Sequence, residues 1–341
     1  MKCCESWRNN LIIEERAYAR AGFLGNPSDG YYGKTISISV KNFGAHISLY
    51  ESPELVIEAQ PDDTNTYNNI YSLVERIKLH GYYGGDRLIK AAIKKFFQYC
   101  QENSIQIENK NFTIRYRSNI PRQVGLAGSS AIITATMKAL LRFYGVKVPK
   151  EMLPTLILNA EVEELGINAG LQDRVIQVYQ GCVFMDFEKK YVKKHQYGQY
   201  ESLDPKRLSN LYIAYKTELS KVSGTVLNDI RSRYDKGDNE VINTLFEIGN
   251  LALTGKEHIR QGKLSELKKL MDTNFDLRSR IMNISDSNRE LVETARACGA
   301  SAKFAGSGGS IIGIYDDNEM LTRLIVEMKR IKARVIKPYI L

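Results

Sequence analysis

No stretch of this 341-residue chain is apolar for long enough to cross a bilayer, which takes about 20 consecutive apolar residues. The opening residues, Met1-Lys-Cys-Cys-Glu-Ser-Trp-Arg-Asn-Asn10, lack the apolar stretch of a secretory leader. Cysteine is sparse and odd in number: five residues, at 3, 4, 100, 182 and 298, with no Cys-x-x-Cys pair. That pattern argues against a disulfide framework and for reduced thiols in a cytoplasmic protein. The four histidines lie far apart in sequence, which argues against a His/Cys metal centre. No repeat period or low-complexity tract is present. The formal net charge is +9, yet the basic residues form only short runs such as Lys189-Lys190 and Lys193-Lys194. Nucleic-acid binders concentrate their charge in stripes with interleaved aromatics. We therefore expect neither a nucleic-acid nor a membrane partner, and read the surplus as solvated surface plus a few residues facing anionic small molecules.

What is there describes a globular protein: 43% hydrophobic and 26% charged residues, with length for one large or two ordinary domains. Alternation predicts strands at 15–24, 35–40 and 45–50, the last two paired across a glycine turn. Residues 61–69 read as a polar loop. Helical spacing appears at 87–100, strands at 105–107 and 112–116, then helices at 131–144 and 154–165. The segment 175–186 begins helical and ends as a strand. Composition shifts near Leu203, dividing the chain into 1–203 and 204–341. Beyond it we expect a strand at 211–215, mainly helical periodicity over 222–282, strands at 302–304 and 311–315, a helix at 319–332 and a closing strand at 334–336. This order, with glycine turns in both halves, predicts a two-domain α+β protein with a cleft between the domains.

The run Pro121-Arg-Gln-Val-Gly-Leu-Ala-Gly-Ser-Ser-Ala131 carries the most chemistry. It is a small-residue loop entering a helix. Small residues let backbone N–H groups approach an anion, and a helix start adds unpaired donors and partial positive charge. Together they suit a phosphate. No Lys precedes Ser129, so the loop is not a Walker motif, and its glycine spacing does not fit a dinucleotide fingerprint. The plainer reading is a helix capped by Ser129 or Ser130. A second cluster, Lys303-Phe-Ala-Gly-Ser-Gly-Gly-Ser310, fits either a tight hairpin or close backbone approach to a ligand or loop. A third, Gly166-Ile-Asn-Ala-Gly-Leu-Gln-Asp173, follows the carboxylate-bearing Glu161-Val-Glu-Glu-Leu. It fits either a base and metal ligand, or a helix C-cap at Gly166 with surface glutamates.

In combination, these segments resemble the GHMP kinase superfamily (galactokinases and homoserine, mevalonate and phosphomevalonate kinases). The resemblance runs from about residue 15 to the last strand. It narrows to plant-type glucuronokinases in Ala17-Tyr-Ala-Arg-Ala-Gly-Phe-Leu-Gly-Asn-Pro-Ser-Asp29, Gly81-Tyr-Tyr-Gly-Gly85, residues 120–131 and 164–174, Asn274-Phe-Asp-Leu-Arg278 and 303–309. One departure is Gly125-Leu-Ala-Gly-Ser-Ser130, a residue longer than the superfamily's usual Gly-Leu-Gly-Ser-Ser, though plant-type glucuronokinases are similar there.

The resemblance implies a two-domain GHMP kinase fold with its active site in the interdomain cleft. It implies ATP- and Mg²⁺-dependent phosphorylation of the anomeric hydroxyl of D-glucuronate. The alternatives are a kinase of a heptose phosphate, a neutral hexose or mevalonate, or a catalytically silent sugar sensor. By the same resemblance Gly125, Leu126, Ala127, Gly128, Ser129 and Ser130 cradle ATP phosphates. Ser130 and Glu161 hold Mg²⁺, with Ser129 an alternative. Asp173 sits beside the acceptor hydroxyl and Arg20 pairs with it. Asn26 and Asp29 meet sugar hydroxyls, although Asn-Pro and Asp-Gly also favour plain turns. Gly306, Ser307 and Gly308 lie near the phosphate loop and the substrate. Arg122 and Arg174 are the candidates for the uronate carboxylate, since a bidentate Arg suits that group.

Overall fold

The computed structural model describes residues 12–58, 84–217 and 224–340, with side-chain surroundings described from residue 229 in the last segment. The loop expected at 61–69, Cys3 and Cys4, the start of the Gly81–Gly85 motif and the start of the helical stretch at 222 lie outside these residues.

A long strand organises the first half. Strand β1 (Ile13–Leu24) pairs antiparallel with β2 (Lys34–Glu51) along nearly its whole length. The other edge of β2 carries two neighbours: β5 (Cys182–Asp186) beside its start and β4 (Phe112–Ser118) beside its end. Strands β3 (Val56–Ile57) and β6 (Gln199–Leu203) complete a six-stranded sheet in the order β3-β4-β2-β5-β6, with β1 off β2. Residues 19–24 of β1 are all buried. Such a run signals a strand covered on both faces, where alternation is lost.

The covers are helices. Helix α2 (Gly128–Phe143) packs on β1 and β2; its Ala, Ile, Thr and Leu residues are buried on nearly every side, as befits a helix inside a core. Helices α1 (Gly85–Glu102), α3 (Leu153–Leu165) and α4 (Gln172–Tyr179) pack around α2. Short α5 (Lys189–His195) links β5 to β6.

The second half has an antiparallel sheet of β7 (Leu211–Lys216), β8 (Lys303–Phe304), β9 (Ser310–Ile314) and β10 (Ala333–Ile336), in the order β10-β7-β9-β8. Its helices are α6 (Gly224–Asp235), α7 (Asn239–Gln261), α8 (Leu264–Ile281), α9 (Asp286–Ala297) and α10 (Asn318–Arg330). Helices α7 and α8 pack on each other and reach back to β1. Ala17 and Ile38 of the first sheet share a buried cluster with Ile213 and Ile312 of the second, so the halves are joined by apolar packing.

Two expectations need correction. Residues 35–40 and 45–50 are one strand, not a hairpin. The intervening Lys41, Asn42 and Phe43 form an irregularity in the ladder, between the pairs Ala19↔Val40 and Tyr18↔Gly44, so both segments pair with β1. A bulge and a turn look alike in sequence, since both interrupt alternation near a glycine. Residues 105–107 are not a strand: Ile105 and Ile107 pack on the core, but the segment joins no sheet. Helices α5 and α9 and strand β6 are additions that the sequence reading did not make.

Candidate active site

A cavity of about 810 Å³ opens where the two halves meet. Its walls come from the end of β1 and the turn after it, the 118–132 segment, residues 161–174, and Arg231, Arg278, Gly306 and Ser307 of the second half. The three glycine-bearing clusters, separate in sequence, line one space.

Arg20 ties them together. This β1 residue is only 6% exposed, which sets aside an ordinary surface arginine. Its Nε donates to Asp173 Oδ1 at 2.8 Å, and Nη2 lies 2.6 Å from the same oxygen. Nη1 donates to the carbonyls of Gly125 (3.0 Å) and Ala305 (2.6 Å), one from each glycine loop. Backbone bonds repeat the connection: the Arg20 N–H donates to Leu126 O and the Gly22 N–H to Ala305 O.

The two loops interlock. Gly125 has φ +70°, and a Cβ there would lie 2.7 Å from the Gly308 carbonyl oxygen. A Cβ on Gly306 would overlap the Gly125 carbonyl. Ser310 Oγ donates to Val124 O at 2.6 Å. The 303–310 segment is thus a hairpin between β8 and β9 that also approaches the phosphate loop closely.

Around the helix start, φ is positive at Gln123, Gly125 and Ala127. Ala127 occupies the N-cap position in the left-handed region and supplies no side-chain cap. Neither Ser129 nor Ser130 caps the helix. Ser130 is buried and donates to Ala127 O at 3.1 Å; Ser129 is exposed and lines the cavity. The α2 N-terminus, with no side-chain cap, therefore offers its first N–H groups to the cavity, the arrangement an anion prefers. Left-handed residues near a helix start also form concave nests of N–H donors.

Three carboxylates face this end. Asp173, in the first turn of α4, uses Oδ1 for Arg20. Its Oδ2 lies 3.6 Å from Arg174 Nη1, outside hydrogen-bond range. Asp29 follows the turn after β1. Burial, reinforced by the neighbouring Asp173 charge and opposed by Arg20, raises its pKa to about 6. A Cβ on Gly170 would overlap Asp29 Oδ2, so the bend before Asp173 needs a glycine for room.

Glu161 is fully buried on α3 and ion-paired with Arg174. Its Oε2 meets the Arg174 guanidinium, while Oε1 accepts no hydrogen bond and Arg174 Nε is unpartnered. Burial, then repulsion from Arg20, pulls the Arg174 pKa down to about 9. Glu163 and Glu164 on the same helix pair instead with Lys95 and Lys94 of α1. Gly166 caps α3 in the left-handed conformation, so the capping and functional readings of this segment hold at different residues.

Among the described residues no cluster of three or more His, Cys, Asp or Glu could hold a metal. An all-protein cage is not what Mg²⁺ beside a nucleotide uses; one or two protein oxygens with phosphates and waters suffice. Glu161, with Oε1 free of hydrogen bonds, and Ser129 line the same cavity, which fits that demand.

Other residues sit differently from expectation. Asn26 lines the cavity, but its amide is already engaged: Nδ2 donates to Phe304 O at 3.4 Å and Oδ1 accepts from Lys303 Nζ at 2.5 Å. Arg122 lies exposed at the rim. Sequence reasoning missed Arg278, Arg231, Lys303 and Asn274 as site residues. Lys303 is 1% exposed and donates to Gly22 O, Asn26 Oδ1 and Phe304 O; burial drives its pKa well below the usual value. Asn274 accepts from the Gly25 N–H at 2.8 Å and donates to Asn26 O, fixing the turn before Asp29. The i, i+4 spacing of Asn274 and Arg278 was the available signal, since it puts both on one helix face.

An interdomain cleft with an open helix N-terminus, an Arg-held aspartate and a second glycine loop describes a small-molecule kinase. The GHMP kinases N terminal domain family matches residues 87–181, and the GHMP kinases C terminal family matches 256–331. The chain belongs to the GHMP kinases. It is 44% identical to the probable glucuronokinase 2 of Arabidopsis thaliana over 98% of this chain and 92% of that one. It is 42% identical to glucuronokinase 1 of the same plant, covering 96% and 91%. The crystal structure of Lactococcus lactis galactokinase complexed with galactose shares the fold at a TM-score of 0.77 and 13% identity, covering 96% of this chain and 93% of that one.

Proposed function

We propose that this protein is an ATP-dependent sugar 1-kinase that converts D-glucuronate to glucuronate 1-phosphate. The observation that carries it is the single cavity in which an uncapped helix start, the Arg20–Asp173 pair and a surplus of arginine meet. Five arginines (20, 122, 174, 231 and 278) and three carboxylates (Asp29, Glu161 and Asp173) line that space, a difference of two positive charges. Both reactants, a nucleotide triphosphate and a sugar acid, are anions that such a field attracts. Full-length similarity to the Arabidopsis glucuronokinases supports the choice of acceptor.

The residues divide the work as follows. The 125–130 backbone holds the phosphates of ATP. The adenine is assigned to the apolar lining residues Leu88, Tyr116, Ile120, Pro121 and Ile132. Asp173 Oδ2 keeps lone pairs for the acceptor hydroxyl. The hydroxyl oxygen forms its bond to the γ-phosphorus as the bond to the bridging oxygen breaks, ADP leaves, and the hydroxyl proton passes to Asp173 or to water. The transition state is loose, so orientation by Asp173 supplies much of its effect. Arg20 fixes Asp173 and favours negative charge on the attacking oxygen. Glu161 and Ser130, or Ser129, which faces the cavity, would hold Mg²⁺. The ion would neutralise phosphate charge as it builds. Asp29 accepts from sugar hydroxyls. The domains are taken as 1–203 and 204–341. A cytoplasmic location fits the free thiols of Cys100, Cys182 and Cys298.

Purified protein with ATP and Mg²⁺ would be given D-glucuronate, D-galacturonate, galactose, heptose 7-phosphate and mevalonate, following ADP and phosphorylated product together. Turnover on glucuronate far above the others, lost in Asp173→Ala, is expected. Preferential turnover on another acceptor would overturn the substrate, and nucleotide binding without turnover on any acceptor would favour a silent sensor.

A further inference from the structure

Resting on the sugar-acid reading, we infer that Arg278 is the residue that reads the substrate's carboxylate. Each buried cation of the site other than Arg278 is accounted for among the described residues. Arg20 is held by Asp173, and Arg174 by Glu161. Lys303 has three oxygen acceptors for its three protons. Arg278, on α8, is 2% exposed and lines the cavity, yet no carboxylate among the described residues forms an ion pair with it. Its Nη1 donates to Gly306 O at 2.9 Å, and its Nε meets only the thioether sulfur of Met282 at 3.0 Å, a weak acceptor. No hydrogen bond to a described residue occupies Nη2. The guanidinium lies over the Phe304 ring at 5.1 Å, which fixes its plane.

A buried charge without a counter-ion is costly unless a ligand supplies one. Burial, followed by repulsion from Arg20 and opposed by the more distant Asp29 charge, pulls the pKa of Arg278 down to about 10, so a carboxylate paired with it directly would favour the charged form. The direction of approach also fits. In a pyranose uronate the anomeric carbon and the carboxylate-bearing carbon both flank the ring oxygen. A sugar with its anomeric hydroxyl on Asp173 therefore turns its carboxylate toward a neighbouring wall of the same small site. Arg278 is bonded to Gly306, next to the Ala305 carbonyl that Arg20 holds. Arg231 differs: it is exposed at the rim, donates to Gly30 O at 2.7 Å and stacks on Tyr31.

The test compares D-glucuronate with D-glucuronamide, an uncharged analogue of nearly equal shape, in the wild type and in Arg278→Gln, Arg278→Lys and Arg231→Gln. KM and kcat are measured separately for each acceptor and for ATP. Arg278→Gln is expected to raise KM for glucuronate by about 10- to 100-fold, as loss of a charge-assisted pair does, with KM for glucuronamide and for ATP little changed. Arg278→Lys keeps the charge and most of the volume, which guards against a folding failure, and should recover part of the preference because an ammonium lacks the planar fork. Undiminished preference for glucuronate in both Arg278 variants, or its loss in Arg231→Gln instead, overturns the assignment while leaving the kinase reading intact. Equal use of glucuronamide and glucuronate by the wild type would overturn the sugar-acid reading itself.

Discussion

Two arginine–carboxylate pairs line the cavity, Arg174–Glu161 fully buried and Arg20–Asp173 with a half-buried acid, and they are finished to different degrees. In the Arg20–Asp173 pair, Arg20 spends its donors on one carboxylate oxygen and two loop carbonyls, all at 2.6–3.0 Å. In the Arg174–Glu161 pair, Glu161 Oε2 meets the guanidinium, but Glu161 Oε1 and Arg174 Nε have no hydrogen-bond partner. Removing two charges from water repays itself only when the remaining donors and acceptors are satisfied. The first pair is therefore complete and holds the Asp173 carboxylate and both glycine loops in fixed relation. The second leaves Glu161 Oε1 without a hydrogen bond, the place where the proposed function puts a hard cation.

The sharpest way to break the comparison is to remove each acid. Asp173→Asn keeps the shape and loses the charge; kcat on glucuronate should fall about 10²–10⁴-fold with KM for ATP little altered, in steady-state assays. Glu161→Gln should instead raise the Mg²⁺ concentration giving half-maximal rate by at least about tenfold, so that excess Mg²⁺ recovers activity. If excess Mg²⁺ recovers Asp173→Asn as well, the division of roles is wrong. A smaller effect is expected where the loops interlock. Gly306→Ala forces the hairpin away from Gly125 and Arg20, and should destabilise the protein by about 1–3 kcal/mol in urea unfolding while lowering activity.

The smallest effect concerns Asp29. Its folded pKa, raised from 3.8 to about 6, means the native state holds a proton that the unfolded chain has released between those values. Its contribution to stability is therefore lost as pH rises from about 4 through about 6. Asp29→Asn should be more stable relative to wild type at pH 7 than at pH 4.5, in ligand-free unfolding curves. An equal difference at both pH values would mean that Asp29 does not titrate in this window.

The sequence made the site more legible than the sheet. Arg20, Glu161 and Asp173 lie in glycine-bearing or carboxylate-rich segments whose residue types announce close approach and charge, and all three reach one cavity. The long β2 was hidden because residues 41–44 break alternation just as a turn would. Strand β6 has a weak pattern of its own and is defined by what it packs against, whereas helix α9 is amphipathic, burying Leu291, Val292 and Ala295, and was overlooked beside the longer helical stretch before it. Arg278 was not read as a site residue for another reason, although its segment, Asn274 to Arg278, carried part of the resemblance. A lone arginine on an amphipathic helix reads as solvated surface, and only the fold shows that α8 turns it inward beneath the 305–310 hairpin.

The central claim, phosphoryl transfer to the anomeric oxygen, is tested most directly by letting the protein act on D-glucuronate labelled with ¹³C at C1 and recording the ³¹P spectrum of the product. A new phosphate ester resonance split by coupling to the labelled carbon, absent with Asp173→Asn, is the expected result. A phosphate ester without that coupling, or ADP formed with no sugar phosphate, would contradict it.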